Sequence, residues 1–200
     1  IIDFRDPKEV KMAPDNLSPK LLEKYINLPI SASTLSRMVS EKELNGDEVK
    51  SYEKVMEESY RMYINNHKKV WIKFFEILLR SNKRPIIFHC SAGKDRTGIA
   101  SFMIQSIFNN HIDKIFENYL ISNDLLTIKA ATAEQKTNSS KQDTLVTKNM
   151  LITLGKVKKS YLNAAIDEIE KNYSSLENYL ISQLGLKHND IQKIQQIFGN

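Results

Sequence analysis

A single cysteine, Cys90, serves 200 residues, so no internal disulfide framework can hold this chain together. Its thiol is either a small buried apolar group or a chemical tool, and its neighbours decide which. Histidine is scarce too. His67, His89, His111 and His188 are scattered, Cys90 has only His89 beside it, and no zinc-type spacing results. Neither a metal nor another cofactor is expected. Long apolar runs are also missing: the longest, Val70 to Leu79, is broken by Lys73 and Glu76 and is far too short to cross a bilayer. A soluble domain follows, with cytoplasm and secretion both left open.

No block of basic residues interleaves with aromatics, because lysines and glutamates are mixed along most of the chain, and nucleic acid is not an expected partner. The net charge of +5 favours anionic substrates or peripheral contact with an anionic membrane surface. Nothing here speaks to oligomeric state. The length fits one domain, 1–200, with room for a sizeable core. The chain enters directly into "IIDF", a strand pattern, so upstream residues are expected to precede it and a signal peptide is neither seen nor excluded.

Along the chain, "RDPKEVKMAPDNLSP" has three prolines and reads as loop, and "YINLPI" reads as a second strand. From Asp47 to Arg80 the pattern is helical, with Tyr52, Val55, Met56, Tyr60 and Tyr63 on one stripe and Val70, Trp71, Phe74, Phe75 and Leu78 on another. Those aromatics are read as core. "HIDKIFENYLISNDLL" gives a further helix, and the tail gives three short ones. Residues 124–150, and within them the apolar-poor "TAEQKTNSSKQDT" at 132–144, read as a surface segment or a mobile lid.

What is concentrated is chemistry around the lone thiol. In "PIIFHCSAGKDRTGIASF", residues 85–102, Ile86 to His89 read as a short buried strand, and Ile99, Phe102, Met103, Ile107 and Phe108 recur at helical spacing. Cys90 therefore sits in a strand-to-helix loop. The first turn of a helix offers unpaired N–H groups and partial positive charge, which favour anions and thiolates. Gly93 and Gly98 allow tight turns and close approach of a ligand, while Lys94 and Arg96 add charge. A Walker loop is excluded because Phe88 and Asp95 stand where glycine and Ser or Thr are needed. Few strands among many helices, with the loop at a strand's carboxyl end, point to an α/β fold: a central sheet flanked by many helices.

"HCSAGKDRTG" contains the Cys-x5-Arg-Thr signature of cysteine-dependent phosphatases and most closely resembles the atypical bacterial tyrosine and lipid phosphatases of the LipA-like group. "IIDFRDPKEV", "ENYLISN" and "YLNAAIDEIEKNYSSLENYLISQLGL" extend the resemblance over nearly the whole chain, with Phe4 in place of the usual leucine. The resemblance implies a protein-tyrosine-phosphatase-like fold and hydrolysis of phosphotyrosine proteins or phosphoinositides without a cofactor. It also implies roles. Cys90 would be the nucleophile, Arg96 and the backbone of Ser91, Ala92, Gly93 and Lys94 would hold the phosphoryl oxygens, and Thr97 would donate to the cysteine sulfur. His89 and Gly98 would support the loop.

No Trp-Pro-Asp acid loop exists, since Trp71 is followed by Ile72, so Asp95 is the expected general acid and Asp3 the reserve. For Asp3 and Arg5 a structural ion pair is the plainer alternative. A silent phosphate-binding module would need neither Cys90 nor Thr97, and a sulfurtransferase would need neither Arg96 nor the following threonine. Lys94 and Asp95 keep phosphoinositides in view.

Overall fold

The computed structural model describes residues 1–31, 48–125 and 155–199. The expected lid at 124–150 thus falls almost wholly outside the described residues.

Three very short strands form a parallel sheet in the order β2-β1-β3. These are β1 (Ile2–Asp3), β2 (Ile26–Asn27) and β3 (Phe88–His89). Ile2 pairs with Ile26 on one side and with Phe88 on the other, and Asp3 with Asn27 and His89. The ladder runs on past the strands through Phe4 N–H to His89 O at 2.8 Å and Ile30 N–H to Phe4 O at 3.0 Å. Because parallel strands need crossovers, every strand delivers its carboxyl end to the same edge. That edge gathers Arg5, Ile30 and Cys90.

The segment after β1, expected as loop, instead holds two short helices, α1 (Pro7–Met12) and α2 (Pro19–Leu22). Asp6 caps α1 by accepting from the N–H groups of Lys8 and Glu9, and the Glu9 carboxylate in turn accepts from the Asp6 N–H at 2.9 Å. Proline at the first helical position breaks nothing, since its missing N–H would be unpaired there anyway. Pro7 and Pro19 thus open helices where a loop is expected, while Pro14 lies between them.

Helices α3 (Glu48–Asn66) and α4 (Lys68–Arg80) follow, separated at His67. Tyr52, Val55, Met56, Tyr60 and Tyr63 of α3 are buried as their stripe predicts, as are Trp71, Phe74, Phe75 and Leu78 of α4. Phe4 from the central strand meets Trp71 and Phe74 edge-on, each at 5.5 Å between ring centroids. Trp71 is pinned by its indole N–H to Tyr63 O at 2.8 Å. The strand before Cys90 is an edge strand and only half-buried, with Ile87 65% exposed, which corrects the expected buried strand.

Helix α5 (Arg96–Ile107) starts directly behind the cysteine loop and buries Ile99, Ala100, Phe102, Met103 and Ile107. Burial over most of its surface makes it the central helix. Around it stand α6 (Ile112–Leu120), α7 (Lys159–Tyr173), α8 (Leu176–Ser182) and α9 (His188–Phe198). Helix α7 lies against α3, and Tyr179 of α8 donates to Ile64 O at 2.9 Å. The three tail helices are those the sequence pattern gives.

Candidate active site

Cys90 leaves the carboxyl end of β3 and is 6% exposed. Ser91, Ala92 and Gly93 then rise to the surface, and Lys94 and Arg96 return to the interior. Gly93 makes the reversal at φ +72°, with nothing within 4 Å of a Cβ placed there. Glycine is needed at this point for backbone conformation alone. The consequence shows in the hydrogen bonds. Gly98 N–H and Ile99 N–H bond back to Lys94 O and Asp95 O, but the N–H groups from Ser91 to Thr97 donate to no acceptor among the described residues. A run of unpaired amides in a bent loop at a helix N-terminus is a concave anion site.

Arg96 sits in the first turn of α5 and is 5% exposed. Its Nη1 donates to Ile30 O at 3.0 Å and Phe4 O at 3.3 Å, both on the carboxyl edge of the sheet. The same Nη1 and Nη2 grip the two carboxylate oxygens of Glu9 at 2.6 and 2.7 Å. Ser91 Oγ also donates to Glu9. Burial would raise the Glu9 carboxyl, but the Arg96 and Ser91 bonds, with the Asp6 N–H, hold it down at about 2. Burial likewise works against the Arg96 charge, yet the Glu9 bond and the neighbouring Cys90 outweigh it and raise its pKa.

Asp95 opens α5 without capping it. Its Oδ1 accepts from Tyr60 at 2.8 Å and its two oxygens accept from Lys94 Nζ at 3.0 and 2.8 Å. Tyr119 Oη lies 2.6 Å from Tyr60 Oη, so a chain of hydroxyls runs from α6 through α3 to the loop. Burial, then the Asp95 charge, hold Tyr60 well above the ordinary tyrosine range and keep it a donor. Lys94, expected to meet substrate phosphates, is buried and turned onto Asp95. Gly98, expected to admit a ligand, instead admits a ring: a Cβ there would lie 2.9 Å from Tyr119 Cε2.

The remaining expected residues also have defined places. Asp3 is fully buried and accepts from Arg5 N, Nε and Nη2 and from Tyr25 Oη, all between 2.6 and 3.0 Å. Burial opposes its charge, but those bonds lower its pKa below the ordinary value. It is the structural partner of Arg5, and the reserve acid role has no geometry behind it. His89 lies with Nδ1 3.2 Å from Cys90 O and Nε2 3.3 Å from Asp15 Oδ2. The buried Thr97 hydroxyl has no hydrogen-bond partner among the described residues.

Asp3, Asp15 and His89 form the one group among the described residues whose ligand atoms converge within 4.8 Å. Arg5 already bridges the two aspartates, with Nη2 at 2.7 Å from each, so its guanidinium supplies the charge a cation would bring. Glu9, Tyr60 and Tyr119 are the residues that sequence reasoning missed at this site. Glu9 carried a signal in Asp6-Pro7-Lys8-Glu9, the spacing of a capping box. The tyrosines carried none beyond their apolar stripes.

A buried cysteine in a strand-to-helix loop, seven of whose following amides have no acceptor among the described residues, with an arginine at the helix start, forms the candidate site. The chain belongs to the tyrosine phosphatase family, which it matches over residues 1–199. It is similar to a Cupriavidus necator protein whose name proposes a tyrosine-protein phosphatase, with 25% identity over 180 residues, 90% of this chain and 63% of that protein. It is similar to the triple specificity protein phosphatase of Mycobacterium tuberculosis, 34% identical over 112 residues, 52% of this chain and 40% of the other. A tyrosine-protein phosphatase of Nostoc commune is 22% identical over 199 residues, 99% of this chain and 65% of the other. The chain thus spans less than two thirds of the length of each. No helix among the described residues is long and apolar enough to cross a membrane.

Proposed function

We propose that this protein hydrolyses phosphomonoesters, phosphotyrosine in proteins first among them, through a cysteinyl-phosphate intermediate. The observation that carries the reading is the run of amides from Ser91 to Thr97 without an acceptor among the described residues, in the loop that joins Cys90 to the helix carrying Arg96. In the first step the Cys90 thiolate forms an S–P bond as the bond from phosphorus to the leaving oxygen breaks. That oxygen takes a proton from Asp95, whose carboxyl must first turn from Lys94. Water then attacks phosphorus, the S–P bond breaks, and the proton of the water passes to Asp95. The amides and Arg96 hold the phosphoryl oxygens throughout.

Phosphoinositides are the second reading. A relative named for triple specificity favours a range wider than one ester. That reading requires Lys94 to leave Asp95 and meet a ring phosphate. Exposed Lys8, Lys11 and Lys20, with Met12, Leu21 and Leu22 also exposed on α1 and α2, fit peripheral contact with an anionic surface. The test is turnover of phosphotyrosine peptides, phosphoserine peptides and phosphoinositides in vesicles, all in excess chelator, with vesicle sedimentation alongside. Phosphate release from phosphotyrosine supports the first reading. Phosphate binding without any turnover would make the protein a silent binding module.

A further inference from the structure

From Asp6 to Lys24 the chain sorts its charges by what they touch. Its acids bond within the protein: Asp6 caps α1, Glu9 accepts from Arg96 and Ser91, and Asp15 pairs with Arg5. Glu23 is the exception, exposed and unpaired among the described residues. The side chains of Lys8, Lys11, Lys20 and Lys24 are all exposed and meet no acid among the described residues. Apolar groups share this surface, with Met12, Leu21 and Leu22 87%, 45% and 60% exposed. Neither α1 nor α2 holds a buried residue.

We propose that this face of α1 and α2 docks on an anionic lipid bilayer, with the lysines against the headgroups and Met12, Leu21 and Leu22 dipping between them. Lys8, Lys11 and Met12 stand at i, i+3 and i+4 and so share one side of α1. Cations beside exposed apolar side chains suit a membrane interface, since charge brings the segment to the surface and apolar burial holds it there. Each lysine near such a surface contributes about fivefold in partitioning. Glu9 lies on the same short helix and reaches Arg96 and Ser91, so docking sets the cysteine site roughly one helix width, about 10 Å, from the headgroups. The docked site is thereby presented to phosphoryl groups carried at the membrane.

The inference rests on the membrane-contact reading of the proposed function, and docking itself is decided without turnover. Binding is read by sedimentation with vesicles of phosphatidylcholine alone and of phosphatidylcholine mixed with phosphatidylserine, at low and at high salt. Wild type is expected to bind the mixed vesicles only and to be released by salt, which screens the lysines. The triple variant Lys8→Gln, Lys11→Gln, Lys20→Gln should lose about 10² in partitioning. Leu21→Ser with Leu22→Ser should weaken binding as well. Met12→Trp places an indole on the face while the native Trp71 is fully buried, so its emission should move to shorter wavelength on the mixed vesicles.

Equal binding to both vesicles, or undiminished binding by the triple variant, overturns the proposal, as does a Met12→Trp emission that stays fixed while the protein sediments. A stable dimer that Leu22→Ser dissociates, with no vesicle binding, gives the face to a second copy of the chain and overturns it too. Kinetics adds a separate arm. The triple variant should keep wild-type kcat/KM on a soluble phosphotyrosine peptide and fall about tenfold or more on the same peptide anchored to mixed vesicles by an acyl chain. Equal losses on both would place the lysines in the site chemistry and sink the docking role. A wild type that turns over neither peptide defeats the phosphatase reading alone, and sedimentation still decides the docking face.

Discussion

Tyr60 donates its hydroxyl to Asp95 at 2.8 Å and accepts that of Tyr119, so the carboxylate at the head of α5 is aimed from behind by two buried phenols. Lys94 holds it from within its own loop. Whatever Asp95 does to a leaving oxygen, these groups set where it stands.

If Asp95 protonates the leaving oxygen, Asp95→Asn slows esters of poor leaving groups far more than esters of activated phenols, because a good leaving group needs no proton. Tyr60→Phe is expected to shift the same ratio in the same direction by a smaller factor. A series of aryl phosphates checks both. Uniform slowing across the series would assign Asp95 to holding Lys94 and the shape of the loop.

Cys90→Ser is expected to abolish turnover while phosphate still binds, since the amides and Arg96 survive the change. Arg96→Lys should cost about 10² in rate or more, because an ammonium cannot make two parallel bonds to a phosphoryl group while holding a carboxylate. Steady-state kinetics and calorimetry on the two variants test this. Near-wild-type rates in either would remove that residue from the chemistry.

Activity should persist in excess chelator, as Arg5 already satisfies the Asp3 and Asp15 pair that would otherwise hold a cation. Peroxide should inactivate the protein slowly, because Cys90 is only 6% exposed, and phosphate should protect it if the anion seats over the thiol as proposed. With no second cysteine, no internal disulfide can rescue the oxidised thiol. Inactivation unaffected by phosphate would place the sensitive group elsewhere.

Gly98→Ala adds a methyl 2.9 Å from the Tyr119 ring, which must move and take its hydroxyl from Tyr60. Destabilisation of about 1–3 kcal/mol is expected from overpacking, with slower turnover. Chemical denaturation gives the first number. A neutral substitution would mean that α6 shifts freely on α5.

The Glu9 carboxyl sits at about 2 in the folded protein against an ordinary 4.5. Its depressed value means its contribution to stability is complete above about pH 4.5 and is lost as pH falls through about 2. Wild type should therefore exceed Glu9→Gln in stability at neutral pH and converge with it in that acid window. A constant gap between the two across the range would contradict the ionic origin of the bond.

The cysteine loop was legible in the sequence because its chemistry is local: strand, turn glycine, charges and helix start all lie within residues 86–98. So were the α3, α4 and tail helices, whose apolar stripes are long enough to show their period. Helix α1 was not, since two prolines in a polar stretch look alike whether they begin helices or prevent them. Glu9 went unseen with it. The Lys94–Asp95 ion pair was not legible either: a lysine beside an aspartate has the same letters whether the pair faces solvent or closes on itself, and burial decides. Tyr60 and Tyr119 lay on apolar stripes, and only the approach of two helices reveals that their hydroxyls meet.

The partners at this site come from far apart along the chain: Glu9 and Arg96 are 87 positions apart, Tyr60 and Tyr119 59, and Tyr60 and Asp95 35. No fragment holding only the cysteine loop contains them, so the seat exists only once the long loops between them have closed. An anion that binds the folded chain and not the unfolded one must then act as a ligand for the whole fold. Mass action sets the size: about 2.7 kcal/mol of added stability at a concentration one hundred times Kd. Inorganic phosphate, the expected product, would raise the melting temperature in proportion to the logarithm of its concentration, and the melting curve itself becomes a titration of the site.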